Sequence, residues 1–253
     1  FLAGALIFVA SEVRNRGAEQ DCASVGELFT ERLDEVAASF ILGEGPDQES
    51  GRSHCVWMDG PSSLTVIEGD LFELVDRGGE AFGKGIAVVP VDSGFSTEIS
   101  RRLEEVDEHG ISENTLHGKW LLKLMSDGMP KEELDRRINA VLVKQGLMGG
   151  GTTIGTVPVI DVGTTAYYLL AISRMDANGN AQSSPADVGQ ALVSLVDFYD
   201  QHGQGYPLYI PLVGTGLSRA HMSVRESFET IRDAFTANRE RVHGCVSIVV
   251  LPG

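Results

Sequence analysis

The stretch best suited to chemistry is Leu208-Tyr-Ile-Pro-Leu-Val-Gly-Thr-Gly-Leu-Ser-Arg-Ala-His-Met-Ser223. An apolar run ends at Val213, a loop with two glycines follows, and a helix-capping signature begins at Ser223. A loop between the C-terminal end of a strand and a helix N-terminus offers backbone N–H groups to an anion. Gly214 and Gly216, on either side of Thr215, let the main chain come close to a phosphate, and Leu217, Ser218 and Arg219 continue the same loop. A plain strand-to-helix turn carries the same residues. The stretch is not a dinucleotide fingerprint, because Arg219 holds the third glycine position, and it is not a P-loop, because no Gly-Lys-Ser/Thr follows.

Three further segments carry groups of interest. In Val66-Ile-Glu-Gly-Asp-Leu-Phe72, Gly69, Asp70 and Leu71 close a strand. There the carboxylate could read a base's amino group or cap the next turn. Val88-Val-Pro-Val-Asp-Ser-Gly-Phe-Ser-Thr97 runs into a small polar loop that includes Asp92, Phe95 and Thr97. In Ile111-Ser-Glu-Asn-Thr-Leu-His-Gly-Lys-Trp120, Asn114 or Thr115 could cap a helix bearing Trp120, Leu121 and Leu124. Leu116, His117, Gly118 and Lys119 then form its first turn. A histidine and a lysine there oppose the helix dipole unless an anion is present, although an isolated histidine is commonly structural. Gly149-Gly-Gly151 reads as an approach to a strand rather than a phosphate cradle. Ser93, Ser96 and Ser218 lack a nucleophile-elbow context, and no pair of carboxylates is marked by spacing. No residue is assigned a catalytic role.

Strand-like runs cover Thr65–Ile67, Ile86–Val91, Thr156–Val162, Ala166–Ser173, Leu208–Val213 and Cys245–Leu251. Between them, Pro130 opens a helical pattern through Leu134, Ile138, Val141 and Leu142 that ends at Gly146. Ser184-Pro185 opens another through Val188, Leu192, Leu195, Val196 and Tyr199 up to Gly203. Ser223-Val-Arg-Glu226 is a capping box before Phe228, Ile231 and Phe235. This alternation predicts an α/β domain over residues 59–253, a mixed sheet in three layers with helices on both faces. A helical N-terminal appendage precedes it. Residues 13–58 read as a linker with an amphipathic helix over Ser24–Phe40 and a loop over 43–52.

The chain has 253 residues, enough for one full core. Its formal charge of −16 repels a nucleic-acid backbone, so phosphates must be held by local N–H groups and a few cations. Cys22, Cys55 and Cys245 are odd in number and lack CxxC spacing, which favours a reducing compartment over a disulfide scaffold or structural zinc. No metal is expected. The run Phe1-Leu-Ala-Gly-Ala-Leu-Ile-Phe-Val-Ala10 lacks an initiator Met and precedes Arg14 and Arg16. Ten apolar residues fall short of the roughly 20 that span a bilayer. The end of a transmembrane helix over 1–12, the end of a signal peptide and a buried helix all fit.

Taken in order, these segments resemble a macro domain, the ADP-ribose-binding module. The matching features are Gly69-Asp70-Leu71 after an early strand, the strand and loop over Val88–Thr97, and Pro211-Leu-Val-Gly-Thr-Gly216 late in the chain. The resemblance implies that Asp70 contacts adenine and that glycine loops hold the diphosphate and distal ribose. Two features depart from the pattern. Asn114-Thr-Leu-His-Gly118 replaces the usual glycine-rich first phosphate loop, and the loop asparagine on which hydrolases depend is either replaced by Asp92 or lacking. Phe95-Ser-Thr97, Ser112–Gly118, Tyr167-Tyr-Leu-Leu-Ala-Ile172 and Gly214-Thr-Gly-Leu-Ser-Arg219 look similar to the ThsA branch of Thoeris antiphage effectors, in which transmembrane helices precede the macro domain. That branch implies a sensor with no cofactor and no turnover. Its ligand is an ADP-ribose derivative, histidine-conjugated ADP-ribose, made by a partner TIR-domain enzyme. It implies a homo-oligomer that disrupts the bacterial inner membrane, with the macro domain in the cytoplasm and the N-terminal run in the membrane. The rival expectations are an ADP-ribosyl hydrolase using the same pocket and a scaffold with a vestigial pocket.

Overall fold

The computed structural model describes residues 53–100, 110–147, 152–176, 180–216 and 220–251. The expected helix over 24–40, the loop over 43–52, the apolar run over 1–10 and the glycine triplet at 149–151 lie outside them. So do Leu217, Ser218 and Arg219. No helix among the described residues is long and apolar enough to cross a membrane.

The chain runs through β1 (Ser53–Asp59), β2 (Ser62–Glu68), α1 (Leu71–Phe82), β3 (Gly85–Asp92), β4 (Ile99–Ser100) and β5 (Ile111–Ser112). Next come α2 (Leu116–Ser126), α3 (Lys131–Lys144), β6 (Val159–Val162), β7 (Thr165–Met175) and β8 (Ala181–Gln182). It closes with α4 (Pro185–His202), β9 (Leu208–Pro211), α5 (Val224–Ala237) and β10 (Cys245–Val250). Among the described residues one mixed sheet has the order β1-β2-β10-β9-β3-β7-β6, with β8 paired to β7. The five central strands are mutually parallel, whereas β1 and β6 join antiparallel at the edges.

Helices cover both faces, as the alternation predicts. Ile86 and Val88 of β3 pack with Leu192 and Leu195 of α4 and Phe228 and Ile231 of α5 in one core. Ala87, Val89 and Val91 pack with Val75 of α1, Trp120 and Leu121 of α2 and Leu134 of α3 in the other. Covering on both faces is why the central strands are continuous apolar runs rather than alternating ones. Truncating a core side chain such as Leu192 or Leu121 to alanine costs about 2–5 kcal/mol. The helix starts follow their caps. Ser184 accepts from the Asp187 amide with Pro185 in the first turn, and Ser223 and Glu226 form the reciprocal box.

Proline sets two strand limits that differ from the sequence expectation. Pro158 accepts from Leu169 N–H but has none to donate, so the strand expected from Thr156 begins at Val159. Pro211 ends β9 two residues early in the same way. At the other end, β1 starts at Ser53, inside the segment expected to be linker, and pairs with β2 from Ser53↔Ile67 to Asp59↔Ser62. Its half-buried edge position leaves little hydrophobic alternation to read. Of the described cysteines, Cys245 is free and exposed, whereas Cys55 is in a disulfide, contrary to the expectation of reduced thiols.

Candidate functional site

Parallel strands bring the C-terminal ends of β2, β3, β7, β9 and β10 to one edge of the sheet, and the sequence-predicted loops follow β2, β3 and β9. The seam between β3 and β9 is the distinctive feature of this edge. Ile86 N–H donates to the Pro207 carbonyl at 2.9 Å, and pairing continues only to Ala87↔Tyr209. By the alternation of a parallel ladder, the next rungs need the N–H groups of Pro211 and Pro90, and neither exists. Each strand stays paired on its far side, β3 as far as Asp92↔Ser173 and β9 as far as Val249↔Pro211. The sheet is therefore unzipped in the middle of its C-terminal edge. Beyond the seam, the chain leaving β3 reaches α2 on one face and the chain leaving β9 reaches α5 on the other. Crevices of this kind, at a topological switch point, are where open α/β sheets bind ligands.

The loop after β3 uses its donors internally. Ser93 N–H goes to Ser173 O at 2.7 Å and Gly94 N–H to Asp92 Oδ1 at 2.8 Å. Phe95 N–H goes to Asp92 O at 3.0 Å and Ser96 N–H to Asp92 Oδ2 at 3.2 Å. Ser96 Oγ adds a bond to Asp92 Oδ1 at 3.1 Å. Asp92, 3% exposed, is thus the internal tie of the loop, and its oxygens are committed. Phe95 adopts φ 52°, a conformation rare for an aromatic residue, and its ring is buried in the core. Thr97 is buried and its hydroxyl donates to Asp135 of α3. Lys131 of α3 holds neighbouring Glu98 at 3.2 Å. Asp92, Phe95 and Thr97, expected at the ligand, shape and anchor the loop. Asp135 was not legible, since a carboxylate four residues after Lys131 on a helix reads as a surface pair.

The first turn of α2 stands against this loop. Thr115 is its N-cap and accepts from Gly118 N–H at 2.9 Å while donating to Ser112 O at 2.7 Å. Gly118 is glycine for packing reasons, because an added Cβ would lie 2.2 Å from Ser112 O. Lys119 N–H returns to Thr115 O at 2.9 Å. The amides of Leu116 and His117 have no acceptor among the described residues. The His117 ring is buried and lies 6.0 Å from Trp120. Burial pushes its pKa down to about 4 against the opposing pull of Asp92, so the ring is neutral at pH 7. The other described α-helices all carry an acidic residue in their first turn, Glu73, Glu132, Asp187 and Glu226, and α2 carries none. Lys119 is exposed there. This helix end is electropositive and has donors to spare.

Across the seam, Gly214 has φ 80° and is buried, and a Cβ would meet Met222 Sδ at 2.7 Å. Its carbonyl accepts from Met222 N–H at 3.3 Å. Gly214 therefore folds the loop back on itself, while Thr215 and Gly216 are exposed and their amides have no acceptor among the described residues. After β2, Gly69 N–H is spent on Val250 O at 3.0 Å, and the Leu71 side chain is core. Asp70 is the N-cap of α1, accepting from Phe72 and Glu73 N–H through Oδ1 at 2.8 and 3.2 Å. Its second oxygen has no bond among the described residues. The edge thus brings together Asp70, the α2 first turn and the Thr215–Gly216 loop. No group of His, Cys, Asp and Glu among the described residues is placed to hold a metal.

Residues 64–251 match the family model described as Thoeris protein ThsA, Macro domain. Among solved structures, the Oceanobacillus iheyensis macrodomain with MES bound is similar at TM-score 0.52 and 11% identity, over 80% of this chain and 90% of that one. A mutant of the same macrodomain with ADPR is similar at 0.51 and 11%, over 80% and 91%. Another mutant gives 0.50 and 10%, over 82% and 89%. At this identity the likeness is one of fold. No curated protein matches.

Proposed function

Given that the chain belongs to the macro-domain family of the Thoeris protein ThsA, we propose that its described edge is a binding site for an ADP-ribose-type nucleotide, held without turnover. The observation that carries this reading is the inventory of backbone donors. The amides of Leu116 and His117 at the α2 N-terminus and of Thr215 and Gly216 after β9 have no acceptor among the described residues, and both segments lie at the edge where the seam opens. Their N–H groups suit a diphosphate, which needs several donors at once. Lys119 adds positive charge, and neutral His117 lets an anion approach without a charged group to desolvate. Asp70, through the oxygen its cap leaves over, suits the exocyclic amine of adenine. Absence of turnover is supported by Asp92, whose buried oxygens accept from Gly94 N–H, Ser96 N–H and Ser96 Oγ within its own loop.

The finer reading is a signal sensor. The ligand is histidine-conjugated ADP-ribose supplied by a TIR-domain enzyme, and binding drives assembly of an effector that disrupts the bacterial inner membrane from its cytoplasmic side. Family membership supports it, as does the apolar run Phe1–Ala10 followed by Arg14 and Arg16. Calorimetric titration against ADP-ribose, NAD, cyclic ADP-ribose and the histidine conjugate tests both levels, with the conjugate expected tightest and recovered intact. Binding to none of the four overturns the site. Release of ADP-ribose from the conjugate or from a modified protein overturns the sensor in favour of a hydrolase. Size analysis of the full-length protein in detergent, with and without conjugate, tests assembly.

A further inference from the structure

The opposite edge of the sheet, at the strand N-termini, encloses a second concavity. Its volume is about 310 Å³, at the small end of the roughly 300–1,000 Å³ typical of small-molecule pockets. It lies beside Ile86 near the start of β3 and Tyr168 near the start of β7, between the C-terminal ends of α3 and α4. The rise along β3 separates it from Asp92 by about 20 Å. It is therefore no part of the site described above.

Three features define what it can hold. Its walls are aromatic, with Phe198 edge-on to Tyr168 at 5.2 Å and tilted against His202 at 4.4 Å. Beside the polar groups of His202, Gln204 and Tyr206, its lining carries two hydrogen-bonding groups of complementary kind, on Tyr168 and Gln145. Tyr168 is 3% exposed, and its hydroxyl has no partner among the described residues. Burial raises that phenol to about 12, so it is a protonated donor at neutral pH. The Gln145 amide nitrogen is taken by the Val157 carbonyl at 3.1 Å, which leaves its oxygen as an acceptor. The fixed charges cancel. Lys84 Nζ and Asp161 Oδ1 pair at 2.7 Å, so an ion entering the cavity meets no uncompensated partner.

We infer that this cavity is a second binding site, for a neutral planar heteroaromatic molecule of one or two rings that carries an acceptor and a donor on one edge, a nucleobase or a pyridine carboxamide. Ring faces pack against Phe198 and His202, the acceptor takes the Tyr168 hydroxyl, and the donor reaches Gln145. The inference stands independently of the nucleotide reading. The test is saturation-transfer NMR on the whole protein with adenine and with nicotinamide, each repeated with excess ADP-ribose and in Tyr168→Phe and Gln145→Leu variants. At least one probe is expected to bind, to persist with ADP-ribose present and to weaken about tenfold in each variant. Transfer to neither probe overturns the proposal, as does displacement by ADP-ribose or indifference to both substitutions. Failure of ADP-ribose itself to bind, with a probe still held at Tyr168, removes the nucleotide reading and leaves this one intact.

Discussion

Gly216→Val separates a phosphate loop from a turn. Gly216 is exposed, its φ is not left-handed, and a Cβ built there has no atom of the described residues within 4 Å. The folded protein therefore accommodates valine with a stability change of about 0.5 kcal/mol or less, as at other open surface positions. The space is empty only while no ligand fills it. If the Thr215 and Gly216 amides donate to a diphosphate, the new side chain keeps the phosphate from closing on them. Two bonds to charged oxygens at about 1.5–3 kcal/mol each amount to roughly 3–6 kcal/mol, a loss of at least about a hundredfold in affinity. Calorimetry with ADP-ribose, beside thermal melts of both proteins, reads the two quantities separately. Gly214 is the wrong position for this experiment, since its φ of 80° and the 2.7 Å approach of Met222 Sδ would unsettle the loop itself. Unchanged affinity in a Gly216→Val protein that melts like wild type would refute the assignment and leave the loop a turn.

Asp70→Ser keeps an acceptor for the α1 cap but removes the second carboxylate oxygen. Affinity for adenine nucleotides is expected to fall about ten- to hundredfold, and that for a hypoxanthine analogue to stay put; equal losses would make Asp70 structural. His117 gives a pH signature. Its folded pKa, about 4, lies below the unfolded 6.5, so the unfolded chain takes up the proton first. Its contribution is complete above pH 6.5 and declines as pH falls through that window, by up to about 3 kcal/mol. Urea midpoints at pH 7.5 and 5 should therefore differ more in wild type than in His117→Gln, and identical drops would show that the ring is hydrated. Gly118→Ala drives a Cβ to 2.2 Å from Ser112 O and should cost about 1–3 kcal/mol in urea unfolding. An unaltered midpoint would mean that α2 does not pack on β5.

The parts of the fold that the sequence made legible are those whose signals are local. Ser184-Pro185, the Ser223/Glu226 box and the apolar runs of β3, β7 and β10 each state their structure within a few residues. β1 gave no such statement, because Ser53–Asp59 owes its conformation to pairing with β2 rather than to its own alternation. The site divides in the same way. The types of loop were visible, but which of their groups remain available depends on bonds made across the fold. Asp92 reads as a ligand residue from its loop, and that Gly94, Phe95 and Ser96 draw on it is seen only in the fold. Thr97 reads as one more small polar loop residue, and its tie to Asp135 of α3, 38 residues away, is invisible locally. A proline within each of two apolar strand runs, Pro90 and Pro211, means that if those strands are neighbours their ladder must stop. That adjacency, with β9 beside β3, is a property of topology alone. Once it is known, the two prolines locate the crevice more sharply than the glycines do, because a glycine permits close approach and a proline enforces an opening.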